Sequence, residues 1–451
     1  MKIIQSKDFD SYWKIETKKD EDTKTEKTVK KIIADVRVKG DAAVRKYASK
    51  FDKSSPHNLE VPVSEAKRAL EQLRANEPSL AEALELAANN INRFSQKQKE
   101  LFADFEYEMG NGLFTGQRVI PIEKAAVYIP GGRFPLFSSV LMGLIPALSA
   151  GVEEIVFASP PMEDGLPNRK ILGAAAIAAE VCGVSNKNEN ARNSSLRIFA
   201  IGGAQAIAAL AFGTESVPRV DVIAGPGNKY VAAAKRLLYG QVGIDFIAGP
   251  SDVLVITDGQ ASAGGVSQAA DFAAADMLAQ AEHDPDARAR ALVPNREFAE
   301  QVVAAIEKRL TSLPSAKTAR ASLDNGGLII VYQNKEEAIR IANTIAPEHL
   351  ELQTADAGTW IPKLKNYGSL FIGSLSAEVL GDYSAGVNHT LPTSGSARFT
   401  GGLSVRNFLK TVTTLRCAAG DGFEKSRNAA EILARAEGLE GHAQSAACRA
   451  Y

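Results

Sequence analysis

The sequence predicts an α/β protein built on parallel sheets, because short apolar runs that end in glycine or proline alternate with Ala/Leu-rich helical stretches. A first series of predicted strands comprises Ala125–Ile129, Glu154–Ala158, Leu196–Ile201 and Val220–Ala224. A second series comprises Val253–Ile256, Ala289–Val293, Leu328–Val331 and Leu370–Ile372, with helices predicted at Gly265–Glu282 and Lys335–Thr344. Because 451 residues exceed the usual size of one hydrophobic core, the two series are expected to form two domains.

The two ends of the chain differ from this repeat. Residues 1–24 are charged and weakly patterned, which predicts an arm outside the core. Residues 25 to about 110 have apolar residues at helical spacing, and the chain becomes helical again after about Gly402. We therefore expect a helical N-terminal region packed on one α/β domain and small terminal extensions. The Asn- and Ser-rich stretch Ser185–Ser195 is predicted to be a surface loop.

Composition and charge limit the classes of function. A formal net charge of −1 gives no electrostatic reason to expect nucleic acid or an anionic membrane as a partner, which favours a small-molecule ligand. The three cysteines are too few and too widely spaced for a disulfide framework or a CxxC metal site, as is usual in a reducing cytosol. The N-terminus lacks the apolar segment of a signal peptide, and no apolar run reaches the length of a membrane span. A cytoplasmic protein is expected.

Histidine is the most informative residue type, because the chain has five and four of them lie beside carboxylates or glycines. His283 follows Gln280 by three residues near the end of a predicted helix, so both side chains share one helix face. The partial negative charge of a helix C-terminus attracts a cation. Taken alone, the segment is better explained by an imidazolium that stabilises the helix end.

Glu348 and His349 are adjacent residues that follow a proline and could act on two sides of one reacting centre. Imidazole transfers protons near neutral pH, and a glutamate can act through a water molecule. Without further context, an ordinary exposed Glu-His pair is the simpler explanation.

Two further clusters of polar residues lie nearer the C-terminus. Glu378, Asp382 and His389 belong to a segment punctuated by glycines, a composition that is typical of functional loops. Glu437 and His442 flank two glycines, which by themselves are typical of the end of a helix.

A metal site can be assembled from these clusters. His283, Asp382 and His442 offer two nitrogen donors and one carboxylate oxygen, a set that fits zinc and leaves a position for substrate. Because the donors are widely separated in sequence, they indicate a catalytic metal between elements rather than a zinc finger. The residues alone do not favour Gln280 over Glu282 as a further ligand.

Glycine-rich turns after predicted strands indicate a cofactor site. Gly225–Lys229 lies between a strand and a helix, where backbone N–H groups and the helix N-terminus can face a phosphate. Tyr128–Gly132 and Gly202–Gln205 are two more such turns. The GxGxxG fingerprint is missing, so a standard Rossmann nucleotide site is not predicted. A purely structural need for tight turns explains any one of them equally well.

These segments, in this order, resemble histidinol dehydrogenases over nearly the whole chain. The matching blocks are Val38–Ala43, Tyr128–Gly132, Gly202–Leu210, Gly225–Asn228, Ala248–Ser251, Gln280–His283, Pro347–Leu350 and Gly381–Pro392. The resemblance implies two incomplete Rossmann-like domains with parallel sheets. It also implies that a first domain, formed by residues 25–127 and 251–403, is split around a second, NAD-binding domain at residues 128–250. Residues 404–451 would form a C-terminal helical extension.

The resemblance also implies roles for individual residues. The zinc ligands would be Gln280, His283, Asp382 and His442, and the acid/base residues would be Glu348 and His349. Ser251, Glu378, His389 and Glu437 would complete the substrate pocket formed by the zinc ligands and His349. Of these, Glu378 and His389 are expected from the other subunit of a homodimer. Tyr128, Gln205 and Asn228 would contact NAD.

The implied reaction is the zinc-dependent oxidation of L-histidinol to L-histidine through L-histidinaldehyde, with two NAD used in succession, as the last step of histidine biosynthesis. His349 is expected to remove the hydroxyl proton, Glu348 to activate water, and zinc mainly to orient the substrate.

Three alternatives stay open from the sequence. Gly132–Pro135 and Phe399–Leu403 resemble paralogous zinc- and NAD-dependent alcohol dehydrogenases that act on another small polar alcohol, such as a sulfonated diol. A non-catalytic ligand-binding α/β protein would bind no zinc and would be insensitive to changes at His349. A metal hydrolase with zinc-bound water would need no NAD.

Overall fold

The structure is a computed structural model that describes residues 1–16, 23–131, 135–184, 194–247, 249–260 and 262–450. Nearly all of the predicted loop at 185–195, and residues Gly132, Arg133 and Phe134, lie outside this described part. The strands are β1 (Lys2–Gln5), β2 (Glu60–Val61), β3 (Phe105–Gly110), β4 (Leu113–Pro121), β5 (Lys124–Tyr128), β6 (Glu154–Ser159), β7 (Ser195–Ala200), β8 (Val222–Ala224), β9 (Gly243–Ile244), β10 (Asp252–Thr257), β11 (Arg288–Val293), β12 (Leu328–Val331), β13 (His349–Gln353), β14 (Ser369–Ile372) and β15 (Leu409–Cys417).

The α-helices lie between these strands and at the two ends of the chain. They are α1 (Phe9–Glu16), α2 (Thr23–Phe51), α3 (Val63–Asn76), α4 (Pro78–Lys99), α5 (Phe137–Ala150), α6 (Arg169–Val181), α7 (Gly203–Phe212), α8 (Lys229–Leu238), α9 (Gly265–Ala281), α10 (Arg296–Leu310), α11 (Ala316–Gly326), α12 (Lys335–Ile345), α13 (Glu378–Tyr383), α14 (Asp421–Ala436) and α15 (Glu440–Ala447). None of the helices in the described ranges is both long and apolar enough to span a membrane.

Two sheets of six strands form the centre of the fold. Sheet I has the strand order β2-β7-β6-β5-β8-β9, and all its pairs are parallel except that of β2 with β7. Sheet II has the order β1-β12-β11-β10-β13-β14 and is parallel throughout. Buried apolar clusters cover both faces of each sheet, as expected for parallel sheets. The predicted α/β fold with parallel sheets is confirmed.

Both sheets have a point at which the order of the strands reverses. In sheet I the chain runs outward from β5 through β6 to β7 and later continues on the other side at β8, so the crevice lies between β5 and β8. In sheet II the reversal lies between β10 and β13, where Val253 is paired with His349. Ligands of open α/β sheets bind at such reversals.

The ends of the chain contain strands that the sequence pattern did not predict. Residues 1–24 were predicted as an arm, but β1 pairs with β12 at the edge of sheet II. The predicted helical region up to about Gly110 and the predicted helical C-terminal extension each contain a strand. These strands, β3 and β15, flank β4 in an antiparallel sheet III. Nearly every residue of β3 and β15 is exposed, so no buried apolar run marked these strands in the sequence.

The packing of the N-terminal helices differs from the predicted domain division. That division placed residues 25–127 with residues 251–403. In the structure, α2 packs on α7 and α8, α3 on α6, and α4 on α5, so these helices cover the faces of sheet I. Their apolar stripes match the Ala-rich helices beside sheet I, and helical periodicity alone does not reveal which sheet a helix will cover.

Candidate active site

A cavity of about 210 Å³ lies between the carboxyl edge of sheet I and the amino edge of sheet II. From sheet I it is lined by Pro226 and Gly227, which follow β8, and by the start of α5. From sheet II it is lined by residues at the start of β10 and β13 and at the end of α9. Seven of the predicted site residues line this cavity, namely Ser251, Gln280, His283, Glu348, His349, Asp382 and His389.

His349 is the first residue of β13 and lies buried between two carboxylates. Its Nε2 atom is 3.3 Å from Asp382 Oδ1, and its Nδ1 atom is 3.8 Å from Glu378 Oε2. Burial alone would lower the pKa of the ring, but the charges of Glu378, Asp382 and Glu348 outweigh it and raise this pKa well above 6.5. The ring is thus held in a strongly anionic pocket.

Glu348 is buried beside His349 and is connected to β10 through Asp252. The Asp252 N–H donates to Glu348 Oε2 over 3.0 Å, and the Glu348 N–H donates to Asp252 Oδ1 over 3.1 Å. Arg290 on β11 in turn donates to Asp252 Oδ2 over 3.2 Å. Burial raises the pKa of the Glu348 carboxyl to about 8. A carboxyl with a pKa near neutrality is suited to general acid/base chemistry.

Glu378 is placed at the start of α13 by a second buried group of carboxyls. The Glu378 N–H donates to Glu351 Oε1 over 2.8 Å. The Gln353 amide bridges two carboxyls, donating to Asp276 over 2.8 Å and to Glu351 over 2.7 Å. Burial raises the pKa of Glu351, Asp276 and Glu378, so protons shared within this group balance its charge. The group fixes the short helix that carries both Glu378 and Asp382.

Within one chain, Glu378 lies 3.8 Å from His349, and His389 lines the same cavity as His349. This corrects the expectation that Glu378 and His389 reach the site from the other subunit. The ring of His389 is held by the Asp382 carbonyl oxygen, 2.8 Å from Nδ1, and by Ser139 Oγ, 2.9 Å from Nε2. Ser139 belongs to α5, so this contact joins the sheet I and sheet II sides of the cavity. Gly386, with a φ of 101°, lets the chain turn back on α13, which returns His389 to Asp382.

Three of the four predicted zinc ligands come together. Gln280 and His283 project from the C-terminal end of α9 and line the cavity with Asp382. The Oε1 atom of Gln280 is buried and has no hydrogen-bond partner among the described residues, which is costly unless a cation or a donor pairs with it. Oxygen and nitrogen donors at a helix C-terminus, opposite a carboxylate, fit zinc. Within the described residues, no group of three or more His, Cys, Asp or Glu has metal-binding geometry, since one of the three donors here is an amide.

The fourth predicted ligand, His442, does not join this set within the chain. His442 lies on α15 and Glu437 follows α14, and both residues are exposed. Neither belongs to the lining of the cavity. The two helices pack on each other, and α14 packs on β3, so the pair is held by sheet III.

The predicted cofactor residues lie at the carboxyl edge of sheet I. Tyr128 ends β5, and its hydroxyl accepts from the Gly203 N–H over 3.0 Å. Gln205 is buried and donates to Asp52 over 3.3 Å. Asn228 is the N-cap of α8, where its side chain accepts from the N–H groups of Tyr230 and Val231. These side chains support the turns in this structure, and the turn after β8 lines the cavity with Pro226 and Gly227.

A buried ion pair holds the turn after β8. Lys235 of α8 is paired with Asp245, and both side chains are at most 2% exposed. Asp245 accepts from the Gly225 N–H over 2.8 Å, and Lys235 donates to the Gly225 carbonyl oxygen over 3.0 Å. A side chain at Gly225 would strike the Tyr128 carbonyl oxygen, and its φ of 115° also requires glycine. The pair and the glycine together bring the turn against β5.

Sequence reasoning missed several residues of the site. Asp252 and Arg290 brace Glu348, Lys235 and Asp245 hold the turn, and Ser139 contacts His389. The one available signal was charge inside a predicted buried strand or helix, since Arg290 lies in β11 and Lys235 in the apolar stretch of α8.

Comparisons with known proteins identify relatives that match nearly the whole chain. The family model described as Histidinol dehydrogenase matches residues 15–450. The histidinol dehydrogenase of Acinetobacter baylyi is 43% identical over 426 residues, which are 94% of this chain and 92% of that protein. That of Aquifex aeolicus is 44% identical over 420 residues, covering 93% of this chain and 91% of that protein.

A solved structure extends the agreement to the fold. The crystal structure of histidinol dehydrogenase from Elizabethkingia anophelis matches with a TM-score of 0.85 at 35% identity, covering 97% of this chain and 95% of that one. The chain therefore belongs to the histidinol dehydrogenase family, whose members are oxidoreductases that oxidise histidinol to histidine.

Proposed function

We propose that the chain oxidises L-histidinol to L-histidine through L-histidinaldehyde, with NAD and zinc, as a cytoplasmic homodimer. The observation that carries the proposal is a cavity in which two buried residues suited to acid/base chemistry, Glu348 and His349, meet the donors Gln280, His283 and Asp382. The glycine-rich turn after β8 and the start of α5 form the opposite wall. When bound, zinc would supply a Lewis acid that orients the substrate nitrogens, and NAD would supply the hydride acceptor.

His349 removes the proton of the substrate hydroxyl as the hydride leaves the carbinol carbon. Its position at the amino end of β13 is fixed by the strand, and Glu378 and Asp382 face its two ring nitrogens at 3.8 Å and 3.3 Å. The negative charge of Asp382 contributes to the raised pKa of His349. Use of Asp382 as a metal ligand would therefore bring this pKa down towards the range in which imidazole accepts a proton.

Glu348 activates the water that adds to the aldehyde, so that a second hydride can leave the hydrate. Its carboxylate form is the base, and burial places its pKa at about 8. The Asp252 N–H donates to the Glu348 carboxyl and keeps it directed across the amino ends of β10 and β13, while the Glu348 N–H donates to the Asp252 carboxylate. The same fixed pair of residues thus serves the two oxidations in turn.

A homodimer would complete the site with a residue from the second subunit. His442 and Glu437 are exposed in their own chain, so they are free to reach a neighbouring cavity. Exposed apolar side chains on sheet III and on the C-terminal helical segment beside it support a surface that a second subunit covers. They are Phe105, Tyr107, Met109, Leu415, Ile432, Leu433 and Leu439. The residues contributed by the partner would then be His442 and Glu437, in place of the expected Glu378 and His389.

The alternative, oxidation of another small polar alcohol, is not favoured by the comparisons. The relatives that match over more than nine tenths of the chain are histidinol dehydrogenases. No separate observation at the cavity favours a binding protein or a hydrolase.

The test is the formation of NADH by the purified protein with L-histidinol, followed by measurement of zinc content. We expect two NADH per histidine formed and one zinc per subunit. Gln280→Ala and Asp382→Asn should lower zinc affinity, while Gln260→Ala, which changes an exposed glutamine in the loop after β10, should leave it unchanged. Histidine formation without zinc, or activity with a sulfonated diol in place of histidinol, would refute the proposal.

A further inference from the structure

A second cavity of about 330 Å³ lies behind the active site, at the same amino edge of sheet II. Three arginines line it, Arg288 and Arg290 from β11 and Arg398 from the loop after β14. The lining also includes two carboxylates, Glu16 and Asp252. Arg288 and Arg398 have no part in the proposed reaction, and Arg290 takes part only by bracing Asp252 behind Glu348.

The two cavities share a wall. Ser251 lines the first cavity and Asp252 the second, and Thr393 lines the first while Ser394 lines the second. The wall is closed by a hydrogen bond from the Gly249 N–H to Thr393 Oγ1. Because Asp252 is also hydrogen bonded to Glu348, the second cavity adjoins the residue that activates water.

The cationic groups in the second cavity exceed the anionic ones. Arg290 pairs with Asp252, and Arg288 pairs with Glu16 over 3.1 Å. The guanidinium of Arg398 donates to the Thr344 carbonyl oxygen, and among the described residues no carboxylate forms an ion pair with it. Arg290 is almost fully buried, with its side chain 4% exposed, so water screens its charge poorly.

The backbone at the rim supports a ligand site. Ser394 has a φ of 55° and Gly395 a φ of 79°, so two successive residues adopt the left-handed region. Among the described residues, only Ala346 shares this conformation without being glycine. A serine in this region costs roughly 1 kcal/mol or more, and such strain is found mainly where function requires it.

We propose that this cavity binds a small oxyanion, a phosphate or a carboxylate group, between Arg288, Arg290 and Arg398. Guanidinium groups bind both kinds of anion through paired N–H donors, and three of them around one space favour an oxygen-rich anion over chloride. The anion would supply the negative charge that Arg398 lacks. This inference concerns binding alone and does not depend on the proposed reaction.

The test is thermal unfolding of the full-length protein at constant ionic strength, with chloride replaced stepwise by inorganic phosphate or by acetate. A ligand of the folded state raises the unfolding midpoint saturably, and the concentration dependence yields an apparent dissociation constant. Saturation with phosphate only would assign the site to phosphate groups, and saturation with acetate only would assign it to carboxylates. Saturation by both supports the shared chemistry.

Variants locate the effect. Arg288→Gln and Arg398→Gln should each weaken the apparent affinity by about tenfold or more, since each removes charged hydrogen bonds. Arg296→Gln, which changes an exposed arginine paired only with Glu300 on α10, is the matched control and should leave the affinity unchanged. Both test arginines are partly exposed, so the anion-free midpoint of each variant reports separately on folding. Midpoints in phosphate and acetate equal to those in chloride, or rises that both variants retain, would overturn the proposal.

Discussion

The carboxyl edge of sheet I and the amino edge of sheet II, which face each other across the active site, present different chemical groups. The carboxyl edge of sheet I presents glycine turns, and its polar side chains turn inward: Tyr128, Gln205, Lys235 and Asp245 are buried and hydrogen bonded within the protein. The amino edge of sheet II presents side chains, with Glu348, His349 and Asp382 lining the cavity. The sheet I edge therefore contributes backbone groups to the site, and the sheet II edge contributes charged side chains.

This difference follows from what each edge is proposed to hold. A cofactor with a pyrophosphate is bound by N–H groups of turns and helix N-termini, which need glycine and close approach. Proton transfer needs titratable side chains at fixed positions, whatever end of a strand carries them. The usual rule places α/β sites at carboxyl ends of strands. Here sheet II contributes from its amino ends, because α9 and α13 end or begin there.

The comparison predicts that changes at the amino edge act on chemistry, with the largest effect. Glu348→Gln and His349→Gln should each lower kcat by about 10²–10⁴-fold, the usual contribution of a positioned acid or base. Zinc content and the KM for NAD should change little. His57→Gln, a histidine that is exposed and far from the cavity lining, is the matched control and should keep full activity.

The pH dependence sharpens the assignment of Glu348. Since its carboxylate is the active form and burial places its pKa at about 8, the rate of aldehyde oxidation should rise with pH, be half-maximal near pH 8 and level off above it. Below that pH the carboxylate fraction falls tenfold per unit. Glu348→Gln should lose this rise as well as most of the rate, measured as NADH formation from L-histidinaldehyde. A Gln variant that keeps the same profile would assign the titration to another group.

The strands of sheet II were predicted unequally well from the sequence. Strands such as Leu328–Val331 were predicted with their observed bounds, because continuous apolar runs mark strands buried on both faces. Residues 349–353 were not predicted as a strand, because His349, Glu351 and Gln353 interrupt the apolar pattern. These residues face the site and the buried group of carboxyls behind it. The polar side chains that the site requires therefore interrupt the apolar pattern by which a buried strand is recognised.

Contacts between distant segments could not be predicted from local pattern. The bracing of Glu348 joins residues 252 and 348, and that of Gly225 joins residues 225, 235 and 245. The assignment of the N-terminal helices to sheet I likewise depends on which apolar faces are complementary. The role of Gln280 came from the family resemblance alone, whereas that of His442 was also indicated by its residue cluster, and both stay predictions.

At the carboxyl edge the comparison predicts effects on stability and cofactor binding. Lys235→Met leaves Asp245 buried without its partner, which should cost about 3–5 kcal/mol of unfolding free energy. The Gly225 turn also loses a hydrogen bond, so the KM for NAD should rise while kcat falls less than in Glu348→Gln. Lys170→Met, which removes an exposed ion pair with Glu77, should cost no more than about 1 kcal/mol and leave the KM unchanged.

A double variant separates the two effects of Lys235. Lys235→Met with Asp245→Leu removes both charges, so much of the lost stability should return. The turn would still lack its hydrogen bonds at Gly225, and the KM for NAD should stay high. Recovery of both stability and KM together would mean that the pair only stabilises the fold.

The smallest effect is predicted for the N-cap of α8. Asn228→Ala removes the acceptor for the Tyr230 and Val231 N–H groups and should cost about 1 kcal/mol of unfolding free energy. Asn334→Ala removes the equivalent cap of α12, far from the turn, and should cost a similar amount with no change in the KM for NAD.

Asn228→Asp distinguishes a cap from a cofactor contact. Aspartate is as good an N-cap as asparagine, so stability should be kept. Its negative charge, however, would repel a phosphate held at the turn, and the KM for NAD should rise by about fivefold to tenfold. An Asp variant with unchanged KM at low salt would show that the turn after β8 does not face the phosphates of NAD, and the proposed division between a backbone edge and a charged edge would then fail at its cofactor side.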